Sequence, residues 1–338
     1  MRFRPGVAID LGTVNTLVAV MGRGLVLDEP SAVALDRSTG RVAAVGQPAE
    51  ALAGKEPVDV EVIHPVRDGV IADLEAAAAM LHAFLRRARV RGWPVRPHAL
   101  VCVPTGATAV ERRSIPAALT ARNPRCAVTL VDGPVAAAAG AGVDLAGGEG
   151  AFVVDIGGGT TEIAVVAGGR VVRATSLRVA GNAMDEAIVH AAKTELGLVL
   201  GHRAANRLKE TLGLTGGDTG YAEVVGVDAA RRAPRVENVS GDLVAAALEH
   251  PIATIVAAIQ EMQSDIPPDL AEDVVRGKVR LTGGGSMLLG LAARVEATAG
   301  LPAMVVDDPL RCVVRGAAEI FEHGGGIVGP VPAGRHAP

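Results

Sequence analysis

Two stretches of this chain share one pattern: an apolar run that ends at an aspartate, a glycine turn, and a second apolar run. Residues Ile9-Asp10-Leu11-Gly12-Thr13-Val14-Asn15-Thr16 lead into Leu17-Val18-Ala19-Val20. Residues Val154-Asp155-Ile156-Gly157-Gly158-Gly159-Thr160-Thr161 lead into Ile163-Ala164-Val165-Val166. The pattern predicts two β-hairpins, each with a polar tip opened by glycine. A third run, Val279-Arg280-Leu281, reaches Thr282-Gly283-Gly284-Gly285-Ser286 and then a helix-like stretch from Met287, as expected of a strand-to-helix turn. Residues 72–89 carry apolar side chains at Leu74, Ala78, Leu81 and Leu85, the spacing of one helical face. Residues 243–262 read as another helix, interrupted near Pro251 because proline ends or kinks a helix.

The tips have a definite chemistry. Glycines let backbone N–H groups converge on an anion, and threonine and asparagine add donors. An aspartate just before the turn can hold a hydrated divalent cation. Two tips facing each other would clamp the phosphates of a nucleotide. Each feature alone has a plainer reading: a glycine hairpin as a mere turn, an aspartate capping its own turn, a glycine cluster as an ordinary connection. Duplication on one template argues against coincidence.

Composition narrows the class. A chain of 338 residues suggests two domains. With 49% hydrophobic but only 2% aromatic residues, its cores must be packed from Ala, Val and Leu. A net charge of −4 argues against a general nucleic-acid binder, and no direct nucleic-acid partner is expected. Cys102, Cys126 and Cys312 form no close pair and no metal-ligand spacing, which suits a reducing cytosol. Cys102, in the run Leu100-Val101-Cys102-Val103, is expected to be a buried thiol. No secretory leader is read at Met1-Arg2-Phe3-Arg4, and no run of eighteen apolar residues is found. Arg86, Arg87, Arg89, Arg91 and Arg96 surround the apolar tip Trp93-Pro94-Val95. The cluster suits an anionic lipid surface, with apolar side chains inserted and cations at headgroups. The alternative is a solvated helix end whose Trp93 packs on its own domain.

Hairpin, hairpin and late glycine turn, in that order, resemble the phosphate-1, phosphate-2 and adenosine motifs of the actin-like ATPase superfamily. Within it the chain resembles the MreB/Mbl family of bacterial rod-shape-determining proteins. The resemblance continues through Asp28-Glu29-Pro30-Ser31, through His64-Pro65-Val66-Arg67-Asp68-Gly69-Val70-Ile71-Ala72-Asp73, and through Val103-Pro104-Thr105-Gly106. It resumes at residues 134–142, at Arg178-Val179-Ala180-Gly181-Asn182-Ala183-Met184-Asp185-Glu186 and at Asp308-Pro309-Leu310. The resemblance implies an α/β, ribonuclease H-like duplicated actin fold, with the nucleotide in a central cleft. The first lobe would span 1–145 with a smaller insertion at about 30–65, and the second 146–322 with an insertion at about 180–249. Residues 323–338 would form a disordered tail.

The resemblance also implies site residues. Thr13, Val14 and Asn15, with Gly158, Gly159 and Thr160, would contact the phosphates of ATP. Asp10 and Asp155 would orient a hydrated Mg2+. Gly284, Gly285, Ser286 and Met287 would line the adenosine pocket, with Asn206, Arg207, Leu208 and Lys209 on a helix beside the base. Two departures stand out. Asn206 replaces the glutamate of a family Glu-x-x-Lys pair, and an amide there still hydrogen-bonds a ribose hydroxyl. The family reads Glu-Glu-Pro, the second glutamate positioning the attacking water, where this chain has Asp132-Gly133-Pro134. Gly133 has no side chain, and Asp132 is one residue early on extended backbone, where neighbouring side chains point oppositely. Slow or absent hydrolysis is therefore expected, with Asp132 the remaining candidate catalytic group. The implied protein is a cytoplasmic filament on the inner face of the plasma membrane, with itself and the cell-wall elongation machinery as partners. A small-molecule kinase would need an acceptor-facing base, a chaperone ATPase would need a further domain, and a plasmid-segregation filament would need a DNA-binding adaptor.

Overall fold

The strand that begins the first hairpin, β1 (Gly6–Leu11), is buried at every position except Asp10, as a central strand covered on both faces must be. The computed structural model describes residues 6–90, 97–215 and 220–323. Trp93, Pro94 and Val95, and the tail beyond His323, lie outside the described residues. Two units emerge: Met1–Glu149 with Val166–Val171 and Arg311–Pro338, and Gly150–Val165 with Val172–Leu310.

In the first unit, β1 is followed by β2 (Asn15–Val20), β3 (Gly24–Pro30), β4 (Val33–Asp36), β5 (Val42–Val45), α1 (Gln47–Glu50) and β6 (Val60–Ile63). Then come β7 (Val66–Arg67), β8 (Val70–Ile71), α2 (Leu74–Arg87), β9 (His98–Val103), α3 (Ala109–Ala121), β10 (Ala127–Asp132) and α4 (Gly133–Gly140). The main sheet runs β10-β9-β1-β2-β3, and β5-β4-β6 form a separate small sheet between residues 33 and 63. Val7, Ile9 and Leu11 share a core with Ala77, Met80, Leu81, Phe84 and Leu85 of α2. Asp73 caps α2, its side chain accepting from the Ala76 N–H at 2.9 Å. Leu74, expected on the buried face, is 47% exposed at the first helical position, and burial begins two residues later at Ala76.

The second unit repeats the plan. Strands β11 (Gly150–Ile156), β12 (Thr161–Ala167) and β13 (Arg170–Leu177) precede α5 (Gly181–Leu196), β14 (Leu198–Val199), α6 (His202–Leu212), β15 (Tyr221–Asp228) and β16 (Pro234–Ser240). Helices α7 (Gly241–Ser264) and α8 (Ala271–Gly277), strand β17 (Val279–Thr282), α9 (Leu291–Ala299) and β18 (Ala303–Val305) follow. Its sheet order, β13-β12-β11-β17-β18, matches the first with β11 in place of β1 and β17 in place of β9. The pairings β1–β9 and β11–β17 are both parallel. β14, β15 and β16 form a sheet of their own.

Two expectations need correction. α7 runs unbroken through Pro251. A proline inside a helix costs about 3 kcal/mol. Burying each of Leu248, Ile252, Ile255 and Ile259 completely returns roughly 1.5–3 kcal/mol, so the packed face overrides the breaker. The last helix, α10 (Cys312–Glu322), belongs with the first unit and not with the second half of the chain. The reason is steric fit against α4. A side chain on Gly140 would put its Cβ 1.9 Å from the Cys312 carbonyl oxygen, and one on Gly316 would sit 1.9 Å from that of Ala136. Arg315 then donates through Nε to the Gly140 carbonyl at 3.1 Å, closing the end of α4.

Gly316→Ala tests this crossing. The helix propensity it adds is under about 1 kcal/mol, while forcing a methyl against backbone costs about 1–3 kcal/mol, and here the obstacle is a carbonyl 1.9 Å away. Urea unfolding of the variant should show a net loss of stability; wild-type stability would contradict the backbone contact.

Candidate nucleotide site

In the first unit the β1–β2 turn is closed by the Gly12 N–H donating to the Asn15 carbonyl at 3.1 Å. A Cβ on Gly12 would stand 2.6 Å from that oxygen, so the turn admits glycine alone. Fully buried Ser31, just after β3, fixes the tip from behind. Its N–H donates to the Val14 carbonyl at 2.7 Å, its Oγ donates to the Gly12 carbonyl at 2.7 Å, and it bonds the Thr16 hydroxyl at 2.8 Å. The Gly12, Val14 and Asn15 carbonyls are thus all satisfied within the protein. The Thr13 hydroxyl oxygen accepts from the Gly69 N–H at 2.9 Å, so its own proton remains available to donate. Asp68 and Gly69, with φ of 49° and 73°, make the left-handed two-residue turn between β7 and β8 that delivers this N–H. Val14 is 48% exposed at the tip, and Asn15 Nδ2 lies 3.4 Å from Asp28 Oδ1. Half-buried Asp10 stands near the end of β1, opposite Leu17.

The second unit builds the same turn. Gly157 N–H donates to the Thr160 carbonyl at 2.9 Å. Buried Thr161, the counterpart of Thr16, donates to the Val179 carbonyl at 2.7 Å. The Gly157 and Gly158 carbonyls accept from the first N–H groups of α5, Gly181 at 3.1 Å and Asn182 at 2.8 Å. Gly159 is buried, while Gly158 and Thr160 keep partial exposure. Against the end of β11 lies the late glycine turn. A Cβ on Gly283, whose φ is +77°, would meet Asp155 Oδ1 at 2.4 Å, and one on Gly285 would meet Ile156 Cγ2 at 2.4 Å. Gly284, Gly285, Ser286 and Met287 form a single 3-10 turn in which buried Ser286 bonds the Gly283 carbonyl at 2.7 Å. Met287 is 54% exposed. Asp155, level with Thr282 across the β11–β17 pair, keeps a little exposed area, yet protein surrounds it and burial pushes its carboxyl up to about 6. A hard dication at Asp155 would reverse that shift, and carboxylate oxygens are the donors Mg2+ prefers. Among the described residues no group of three or more His, Cys, Asp or Glu could hold a metal by protein alone. One or two carboxylates completed by water and phosphate is the usual arrangement for Mg2+.

The α6 residues divide. Half-buried Asn206 donates through Nδ2 to Glu210 Oε1 at 2.8 Å, and Arg207 is exposed. Leu208, expected beside the base, is 2% exposed and its side chain is part of the core, so it can offer a ligand only backbone. Lys209 is buried, with Nζ 2.7 Å from Asp185 Oδ1 and 3.1 Å from the Gly181 carbonyl. Burial raises the Asp185 carboxyl above its usual range, and the adjacent Lys209 charge pulls the other way.

Asp132 ends β10 and Gly133 begins α4. Arg112, from α3, reaches Asp132 Oδ1 at 2.5 Å. The carboxylate is thus engaged by a guanidinium, and buried Gly133 offers no group in its place. Ser31, Gly69, Arg112 and Asp185 all shape the site without having been singled out by sequence chemistry. Ser31, Gly69 and Asp185 lie inside family-like segments, but they act on backbone or on a buried partner, which no local motif announces.

The MreB/Mbl protein family model matches residues 4–326. The chain belongs to the MreB/Mbl family. Cell shape-determining protein MreB of Escherichia coli K12 is 39% identical over 336 residues, covering 96% of each chain. Cell shape-determining protein Mbl of Bacillus subtilis 168 is 37% identical over 323 residues, covering 95% of this chain and 97% of its own. Among solved structures, MreB5 of Spiroplasma citri bound to AMPPNP superposes with a TM-score of 0.89 at 29% identity, over 96% of this chain and 97% of that one. A MamK double helical filament matches with a TM-score of 0.80 at 24% identity, over 95% of this chain and 99% of that one, a likeness of fold. The fold is actin-like.

Asp155 carries a pH prediction. A carboxyl with a folded pKa near 6, above an unfolded value near 3.9, stabilises the fold below about pH 4, and that contribution is lost as pH rises through 6. At about 1.4 kcal/mol per unit, the loss is roughly 3 kcal/mol. In chelator, urea unfolding at pH 4 and pH 7 should show that Asp155→Asn removes a large part of the wild-type decline. An identical decline in both proteins would contradict the assignment.

Proposed function

We propose that this protein binds ATP with Mg2+ through both hairpin tips, and assembles into filaments that help determine cell shape at the inner face of the plasma membrane. The observation that carries the reading is the repeated turn, Gly12 to Asn15 and Gly157 to Thr160, each closed by the same bond and each followed by a buried threonine. Nucleotide binding draws support from the AMPPNP and ADP carried by the MreB5 structures. The cell-shape role draws on the MreB and Mbl relatives, and implies the cell-wall elongation machinery as a partner. The membrane contact is assigned to Trp93-Pro94-Val95 and the arginines around it.

In this reading the backbone N–H groups of Thr13, Val14 and Asn15, and those of Gly158, Gly159 and Thr160, receive phosphate oxygens. Thr13 donates its hydroxyl proton while Gly69 holds its oxygen. Asp10 and Asp155 would hold hydrated Mg2+, which neutralises charge on the phosphates. Gly284 to Met287 bear on adenosine, and Asn206 bears on the ribose. Binding then biases the chain toward the state that polymerises, by as much as ATP prefers that state.

Hydrolysis is slow, because Gly133 orients no water and Asp132 is held by Arg112. A positioned acid–base group contributes about 100-fold or more to such a step. Phosphate release with ATP and Mg2+ should therefore be slow in the wild type and rise by about 100-fold in Gly133→Glu. Polymer pelleting on anionic liposomes should persist in both. Fast wild-type release, or no gain in the variant, would refute the assignment to position 133.

A further inference from the structure

Charge is spread unevenly along this chain. The whole carries a net charge of −4, yet from Ala76 to Val131 there are nine arginines and no lysine against a single carboxylate, Glu111. That carboxylate is already occupied, its Oε2 accepting from the Thr108 N–H at 2.7 Å at the start of α3. Arg87 and Arg112 are occupied as well, with Glu29 and Asp132. Among the described residues Arg86, Arg89, Arg122 and Arg125 are exposed and have no carboxylate partner.

The fold brings these four to one end of the first unit. Helices α2 and α3 bury Leu81, Leu85, Ile115 and Leu119 in one core, and each ends where the chain turns back into β9 or β10. Those strands are parallel, with His98 level with Ala127. The Ala127 N–H donates to the Pro97 carbonyl at 3.0 Å, so the loop after α3 lies beside the chain entering β9. Burial, and then the charges of Arg122 and Arg86, hold the His82 imidazole below its usual range, as cations converging from two helix ends must. The loop after α3 is well fixed. Buried Asn123 accepts through Oδ1 from the Arg125 N–H at 3.3 Å, and its carbonyl takes the Cys126 N–H at 3.0 Å. Helix dipoles explain cations near a C-terminus. At α2, however, Arg23 meets that need, its Nη1 donating to the Ala88 and Arg89 carbonyls at 3.0 and 3.2 Å. Arg89 and Arg125 stand beyond the helices altogether. Like charges gathered without counter-charge repel, and an anionic surface relieves the repulsion.

We infer that this end of the first unit docks on anionic phospholipid headgroups, with Arg122 and Arg125 of the loop after α3 meeting the bilayer together with Arg86 and Arg89 at the end of α2. The inference rests on the membrane reading above and deepens it. Contact depends on the charge of the lipid, and it uses a loop separate in sequence from Trp93-Pro94-Val95. A lipid surface fits better than a nucleic acid, because the chain between Arg89 and Pro97 carries that apolar tip, which an acyl boundary accepts and a phosphate backbone does not need.

The test is sedimentation of the full chain, without nucleotide, on vesicles of phosphatidylcholine alone or of equal parts phosphatidylcholine and phosphatidylglycerol. Wild type should bind the mixed vesicles, leave them as salt is raised, and bind pure phosphatidylcholine far more weakly. Arg122→Gln with Arg125→Gln should bind the mixed vesicles about 30-fold more weakly, which corresponds to about 1 kcal/mol for each arginine at a charged surface. Arg122→Lys with Arg125→Lys should bind as wild type does. So should Arg170→Gln with Arg173→Gln, the same change of net charge at exposed positions of β13. An equal loss in that control pair would reduce the effect to net charge and overturn the inference, as would wild-type binding by Arg122→Gln with Arg125→Gln. Trp93→Ala separates the two readings. Loss of binding in Trp93→Ala alone, on both vesicle types alike, would keep the tip as the contact and overturn the inference. Loss in the Arg122 and Arg125 pair alone would uphold the inference and remove the tip. No vesicle binding by wild type would overturn both. Tighter binding of duplex DNA than of the mixed vesicles, lost in the same arginine pair, would replace lipid by nucleic acid and overturn the inference.

Discussion

A single backbone hydrogen bond, made twice, organises this molecule. In each unit a glycine N–H closes back on the carbonyl three residues ahead, at Gly12 and at Gly157. The bond forces the chain to reverse with no room for a Cβ at Gly12, where the nearest obstacle is the carbonyl it binds. Once that turn is set, the carbonyls of the tip point inward and must find donors, since buried polar groups left unpaired are costly. Ser31 supplies them in the first unit, and the start of α5 in the second.

The two units support their turns differently. The first tip is braced by Ser31 and Gly69, both acting through short, neutral bonds. The second is braced through α5, which is in turn pinned by the charged pair Lys209 and Asp185. Buried ion pairs add little net stability and are costly to break from one side. Such a pair therefore serves position better than it serves strength. A similar commitment at Arg112 and Asp132 leaves the β10–α4 junction well anchored, but without a side chain at Gly133 to direct water.

Much of this was legible in the residues. The hairpins, the glycine turn after β17 and the helix α2 follow from periodicities that fall with a pleat or with a helical turn. The sequence misled at Pro251, where local propensity lost to a face of buried isoleucines, and at Leu74, which fits the periodicity but stands exposed at the helix start. A motif position also does not reveal which way its side chain points, and that of Leu208 enters the core. The return of α10 to the first unit depends on small residues in two segments more than 170 positions apart, as the Cys312 to Ala137 contact illustrates. No local window carries that information.

The account stands or falls on both tips serving one ligand. Hydrogen exchange of the wild-type protein, with and without Mg-ATP, measures this directly. The account predicts slowed exchange at residues 12–16 and 157–161 together, over one range of ATP concentration. Protection confined to one tip, or two protections at separate concentrations, would contradict it.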